Sequence, residues 1–211
     1  MPALTGLAPD PRQPGYRLVE VDRGRFASLP AAALEPLDLR LGSELGAAVL
    51  ERLRELADVE AAERAALRAL ARRAHARRDL QRRLVKKQHP PRAVDAALER
   101  LADRGLLDDR RFAEQYAALR ATRGKGPARL IKDLLAQGVE RRTAEDAVRQ
   151  ALDDEDIDPG REARAVAVKR ARQLDGLPPA VRKRRLLAFL LRRGYGGPQV
   201  KALIAELCDS R

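Results

Sequence analysis

Arginine and lysine recur in register along this chain, at a spacing that can hold anions. On three helical segments, positions 79/82/86, 129/132/136 and 185/188/192 stand at i, i+3 and i+7. Two of each three are basic: Arg82 and Lys86, Arg129 and Lys132, Arg185 and Arg192. That spacing puts each trio on one face of its helix, beside the apolar seam. A guanidinium is planar, always charged and able to donate paired hydrogen bonds to phosphate or carboxylate. Lys87 and Arg193 lengthen the first and third stripes, and Arg123 and Lys125 stand in the connector before the second. A charge run is usually only a solvated face. Recurrence in register is what makes these ten residues candidates for binding.

Other chemistry finds little support. The single cysteine, Cys208, has no disulfide partner in the chain, and His75 and His89 share no usual metal-ligand spacing with it. Cys208 follows Leu207 in the last helical pattern and is expected to be buried. Gly124-Lys125-Gly126-Pro127 lacks the spacing of a phosphate-cradling loop, and no strand precedes it. The acids of 153–158 lack the spacing of a calcium loop and read as a disordered, solvated linker. No paired acid and base and no nucleotide fingerprint stands out, so no enzyme activity and no cofactor are expected.

The elements that carry the stripes are repeated. Leu130, Leu134, Gly138 and Val139, followed by Ala144, Ala147, Val148 and Ala151, return 56 residues later as Leu186, Leu190, Gly194 and Tyr195, then Val200, Leu203, Ile204 and Leu207. Fifty residues earlier the pattern reads Leu80, Leu84, Gln88 and His89, then Val94, Ala97, Leu98 and Leu101. Apolar positions at i, i+3, i+4 and i+7 are helical, so each unit holds at least two amphipathic helices joined at a fixed corner. Repeated helical units stack into an elongated body instead of closing one core. In the first unit Gln88-His89 replaces Gly-Val and Gly-Tyr, which leaves its corner geometry open.

Charge follows the repeats. Residues 1–56 hold seven arginines, no lysine and eight acids, whereas the remainder holds 36 basic and 23 acidic residues. A basic region of that kind fits a polyanion, nucleic acid first and an acidic protein surface second. With no Trp, three Tyr and three Phe, contacts should go mainly to phosphate, not to stacked bases. No apolar run approaches the length of about 18 residues that suggests a membrane span, and nothing after Met1 resembles a signal. A soluble, cytoplasmic monomer is expected.

Residues 1–15 are rich in proline and are expected to be disordered. Tyr16 to Val21 and Arg25 to Leu29 predict a β-hairpin with a glycine turn at Asp22-Arg23-Gly24. Leu45 to Leu56 predicts a helix capped by Ser43, and 58–87 two further helices with a break near His75. Asp108 should cap a helix whose buried stripe is Phe112, Tyr116 and Leu119. Pro127 should start the next. The expected divisions are an extension at 1–57 and repeats at 58–107, 108–158 and 159–211, with the extension separable from the repeats.

Leu107-Asp108-Asp109, Arg111-Phe112-Ala113, Arg123-Gly124, Gly126, Arg129-Leu130, Gly138-Val139, Phe189-Leu190 and Arg193-Gly194-Tyr195 together resemble the bacterial RecX regulators of the RecA recombinase. The resemblance covers about 60–207. It implies a mainly α fold of three tandem three-helix repeats in an elongated, curved, basic body, here with a small hairpin-bearing N-terminal extension. It implies a non-enzymatic regulator that docks in the groove of a RecA–DNA filament and suppresses ATP hydrolysis and strand exchange, and with them recombinational repair and the SOS response. Asp108, Asp109, Arg111, Phe112, Arg129 and Gly194 match the pattern and would serve fold and surface together. On this reading Arg82, Lys86, Lys87, Arg123, Lys125, Arg129, Lys132, Arg185, Arg192 and Arg193 would meet DNA or RecA. The alternative is a general helical DNA-binding or nucleoid protein with no protein target.

Overall fold

Proline and glycine punctuate much of the helical sequence, and many element boundaries fall on them. A computed structural model describes residues 1–209. The order is β1 (Leu4–Pro9), β2 (Tyr16–Val21), β3 (Gly24–Pro30), α1 (Ala31–Leu34), α2 (Ala47–Leu70), α3 (Arg77–Lys86), α4 (Pro91–Asp103), α5 (Asp109–Ala121), α6 (Pro127–Gln137), α7 (Arg141–Asp154), α8 (Pro159–Arg172), α9 (Pro179–Arg193) and α10 (Pro198–Asp209). Five of these helices start on proline, whose missing N–H would have no partner in a first turn. The chain divides into two compact units. One holds Met1–Ala74 and Leu80–Leu107, the other His75–Asp79 and the chain from Asp108 onward.

In the first unit the strands form an antiparallel sheet in the order β1-β2-β3. The expected disorder of 1–15 is corrected: β1 pairs with β2 from Leu4↔Val21 to Pro9↔Arg17, and Leu4 is fully buried. The Asp22 carboxylate accepts from Ala3 N at 2.8 Å and Thr5 Oγ1 from Arg23 N at 2.8 Å, so the β2–β3 turn itself fastens β1. That turn is not a glycine turn. Val21 pairs with Gly24, and the left-handed residues are Asp22 (φ 50°) and Arg23 (φ 62°), a two-residue loop that matches the strand twist.

Leu4, Val19 and Leu29 of the sheet bury against Leu34, Leu45, Leu53 and Leu56. The last two belong to α2, which runs unbroken through residues 57 and 58, where the extension was expected to end. Its later turns place Ala62, Ala65 and Ala66 against Leu80 and Leu84 of α3 and Val94, Leu98 and Leu101 of α4. Ser43 does not cap it: Gly46 holds that position, and the Ser43 hydroxyl donates to Arg40 O at 2.6 Å. Two acids of α2 are buried and paired, Glu60 with Arg100 at 2.8 Å and Glu63 with Arg104 at 2.7 Å.

The second unit builds two cores. Ala113, Ala117 and Ala121 of α5 lie with Leu130 and Leu134 of α6 and Ala144, Val148 and Ala151 of α7. Ala163, Ala167 and Ala171 of α8 do the same for Leu186 and Leu190 of α9 and Val200, Leu203, Ile204 and Cys208 of α10. The buried stripe of α5 is therefore Phe112 with alanines, and Leu119 is 55% exposed. Alanine lets the first helix lie close to its neighbours, and Leu119 falls outside that contact. Asp108 caps α5, accepting from Arg110 N at 2.9 Å and Arg111 N at 3.0 Å. The acidic stretch is ordered: Asp153 and Asp154 end α7, and Asp158 caps α8 through Gly160 N and Arg161 N.

The three corners after α3, α6 and α9 share one geometry. His89 N donates to Leu84 O at 3.2 Å, Val139 N to Leu134 O at 3.2 Å and Tyr195 N to Leu190 O at 2.9 Å. Each such bond closes over a left-handed residue, Gln88 (φ 67°), Gly138 (φ 91°) and Gly194 (φ 92°). Gln88 thus makes the same turn as the glycines, at a cost of about 1 kcal/mol for its Cβ.

Candidate nucleic-acid interface

Successive middle helices of the second unit meet end to end, and the joint gathers cations. At the α6–α9 joint, Gly126 N, just before α6, donates to Arg193 O at the end of α9 at 2.7 Å. A Cβ on Gly126 would lie 2.6 Å from Gly194 O, and one on Gly194 would run into Arg129 N. Only two glycines allow the backbones to approach this far. The bond gives a carbonyl at the C-terminus of α9 a donor, and the negative end of α9 faces the positive end of α6. A similar joint forms one repeat earlier, where Gly138 lies against the Arg78 side chain and Asp109 accepts from Arg77 N at 2.7 Å.

The α6–α9 joint carries Arg123, Lys125, Arg129 and Arg193, and it divides them into two groups. Asp133 takes Lys125 Nζ at 2.9 Å and Arg129 Nε at 2.8 Å, and the Tyr116 hydroxyl donates to it at 3.2 Å. Burial acts to raise the pKa of Asp133. The hydrogen bond and charge of Lys125, the Tyr116 hydroxyl and the Arg129 charge outweigh it and hold the carboxyl below its ordinary value. Tyr116 is pushed the other way, by burial first and then by the Asp133 charge. Lys125 and Arg129 are therefore largely compensated.

Arg193 makes no ion pair with a carboxylate among the described residues. Its Nη1 donates to Gly124 O at 3.4 Å, and its guanidinium carbon lies 5.0 Å from the Phe189 ring centroid. Arg170 of α8 lies 5.4 Å from the same centroid. Arg123 is exposed. Lys132, Arg185 and Arg192 are also exposed on α6 and α9, and none of the three makes an ion pair among the described residues. Arg82, Lys86 and Lys87 lie on and just after α3 in the first unit, all exposed. Of the first stripe, Asp79 belongs to the second unit and pairs with buried His75 at 2.8 Å.

Arg170 was not among the ten candidates. The signal for it lies in the first helices of the repeats, where Asp108, Ala113, Ala117, Arg120 and Ala121 return fifty residues later as Asp158, Ala163, Ala167, Arg170 and Ala171. Arg120 and Arg170 occupy equivalent positions. Each stacks on an aromatic ring, Arg120 at 4.5 Å from the Tyr116 centroid, and each has a buried Nε with no acceptor among the described residues.

Three-helix units in tandem, two of them joined at a glycine contact between their middle helices, with exposed cations on those helices, define a helical-repeat protein. No group of His, Cys, Asp or Glu that could hold a metal ion occurs among the described residues. Comparison with known proteins gives the family. Models for the first, second and third three-helix domains of RecX match residues 62–101, 108–148 and 161–204. Regulatory protein RecX of Halorhodospira halophila is 42% identical over 148 residues, 69% of this chain and 88% of that protein. Regulatory protein RecX of Mycobacterium tuberculosis is 35% identical over 159 residues, 72% of this chain and 89% of that one. The chain belongs to the RecX family of regulatory proteins. A crystal structure of regulatory protein RecX shares the fold with a TM-score of 0.73 at 18% identity over the whole of both chains. RecX from Lactobacillus salivarius does so with a TM-score of 0.58 at 22% identity, over 71% of this chain and 96% of that one.

Proposed function

We propose that this chain binds the RecA–DNA filament and inhibits RecA, slowing ATP hydrolysis and strand exchange and so damping recombinational repair and the SOS response. The observation that supports this reading most directly is the α6–α9 joint, where a backbone contact only glycine permits sets Arg193 at the end of α9, with Arg170 of α8 near the same Phe189 ring and neither in an ion pair among the described residues. A basic surface that contacts more than one protomer favours one filament geometry over others, and a ligand shifts an equilibrium only by such differential binding. DNA contacts go mainly to phosphate, from the exposed cations of α3, α6 and α9. The reading implies a monomer acting in the cytoplasm, with no enzyme activity of its own. No helix among the described residues is long and apolar enough to cross a membrane.

The test is a titration of the protein into preformed RecA filaments while ATP turnover is followed, repeated with DNA raised several-fold at fixed RecA. Joint contact with RecA and DNA raises the effective concentration of each, so inhibition should saturate well below DNA coverage. A midpoint that rises in proportion to DNA would leave a general DNA-binding protein instead.

A further inference from the structure

We infer that Arg123, Arg170 and Arg193, grouped at Gly124 and Phe189, form a phosphate-binding site for the backbone of a nucleic-acid strand. The inference rests on the reading that this chain contacts DNA, and it names the residues. The site is built from three elements of one unit: the α5–α6 connector, α8 and α9. Arg193 ties α9 to the connector through Gly124 O at 3.4 Å, and a Cβ on Gly124 would meet Arg193 Nη1 at 3.5 Å and Val166 of α8 at 3.9 Å. Gly124 and the Arg193 guanidinium thus lie beside Val166 of α8, and Arg123 is the residue before Gly124. Arg170 and Arg193 share the Phe189 ring at 5.4 and 5.0 Å.

Two like charges on one ring repel, and a fold that used them only for packing would supply a carboxylate. Asp133 does this for the other two cations, Lys125 of the connector and Arg129 in the first turn of α6. Among the described residues, Arg123, Arg170 and Arg193 make no ion pair with an acid. Arg170 donates to the neutral Gln173 Oε1, at 2.7 Å, and its Nε is buried with no acceptor among the described residues. A buried donor without an acceptor is unfavourable, and Arg120 and Arg182 carry the same burden, so the available donors of Arg170 are its terminal nitrogens. Guanidinium forks stacked on a ring are pre-oriented, so little side-chain freedom is lost when they take a phosphate. Arg185 and Arg192 of the same helix are exposed as well, and several cations on one helix suit the repeated charge of a phosphodiester chain.

The test measures binding of a fluorescent oligonucleotide by anisotropy as a function of salt. It compares the wild type, Arg123→Gln/Arg170→Gln/Arg193→Gln, and a control that removes three charges from α7, Arg141→Gln/Arg142→Gln/Arg149→Gln. The joint variant should lose at least tenfold in affinity and flatten the logarithmic salt slope by about 0.9 for each lost phosphate contact on duplex. The α7 variant should change less than threefold. Because Arg170 is partly buried, the double variant Arg123→Gln/Arg193→Gln, with helicity and melting checked by circular dichroism, guards against misfolding and should still lose several-fold. Equal losses in the joint and α7 variants would overturn the site while leaving DNA binding intact. Absence of salt-dependent DNA binding by the wild type would remove the functional reading as well. Unchanged DNA affinity with weakened binding to DNA-free RecA would assign these arginines to an acidic protein surface and overturn the proposal.

Discussion

Gly194, one residue past α9, has its α-carbon against the backbone nitrogen of Arg129 in the first turn of α6, with no room between them for a methyl group. The glycine therefore serves twice. It supplies the left-handed turn that ends α9, at φ 92°, and the flat surface on which α6 begins. Conformation alone could be met by asparagine at modest cost, but the contact could not.

The two roles can be separated by substitution. Gly194→Ala should destabilise by about 3 kcal/mol or more, since backbone atoms of α6 must move as well as the corner. Gly197 has a similar φ of 94° with nothing within 4 Å of its added Cβ, so Gly197→Ala should cost only about 1 kcal/mol. Equal shifts in urea midpoints would show that backbone strain alone matters at both sites.

Asp108 offers a simpler stability test. It accepts two of the free N–H groups at the start of α5, and Asp108→Ala should cost about 1 kcal/mol. Asp108→Asn or Asp108→Ser should restore most of it, because either side chain keeps an acceptor. Thermal melts of the three variants would show whether the cap or the charge is responsible.

Asp133 holds two cations of the joint, and removing its charge should release them. Asp133→Asn is expected to raise DNA affinity two- to threefold and to steepen its salt dependence, while lowering stability at neutral pH. The folded pKa lies below the ordinary aspartate value of 3.8. The stabilisation by Asp133 is thus fully present above about pH 4 and is lost as pH falls through the folded value. Wild type should therefore lose stability below pH 3.8 more steeply than Asp133→Asn in acid titrations followed by circular dichroism. Parallel acid limbs would show that Asp133 adds nothing to the fold.

The N-terminal sheet and the first repeat share α2, and separating them should be costly. Leu53 and Leu56 are buried with Leu4, Val19 and Leu29 of the sheet, so deleting residues 1–46 strips the apolar cover from the first turns of α2. The shortened protein should melt earlier and bind more of a hydrophobic dye than the full chain. Deletion of 1–56 also removes those two leucines, so it should reverse much of the gain in dye binding. A melting curve unchanged by the shorter deletion would make the extension an independent module.

The helical repeat, the three corners and the caps at Asp108 and Asp158 are written locally, in apolar spacing, glycine, proline and acid, because a helix is closed by hydrogen bonds within a few residues. Even Gln88, which breaks the glycine pattern, turns as its counterparts do, since the corner is set by Leu84 and His89. Strand β1 was not legible: Leu-Thr-Gly-Leu-Ala-Pro carries no alternation, and it is held by its pairing with β2 and by Asp22 and Thr5. The unbroken course of α2 was hidden too, because a uniform run of Ala, Leu, Glu and Arg does not show where one core ends and the next begins. The basic residues could be listed from spacing, but their state of charge compensation could not. Asp133 meets Lys125 eight residues away, and Arg170 meets Phe189 and thereby Arg193 only when α8 and α9 pack. Local hydrogen bonding determines which segments are helices; contact between segments far apart in sequence decides which of their arginines remain available to an anion.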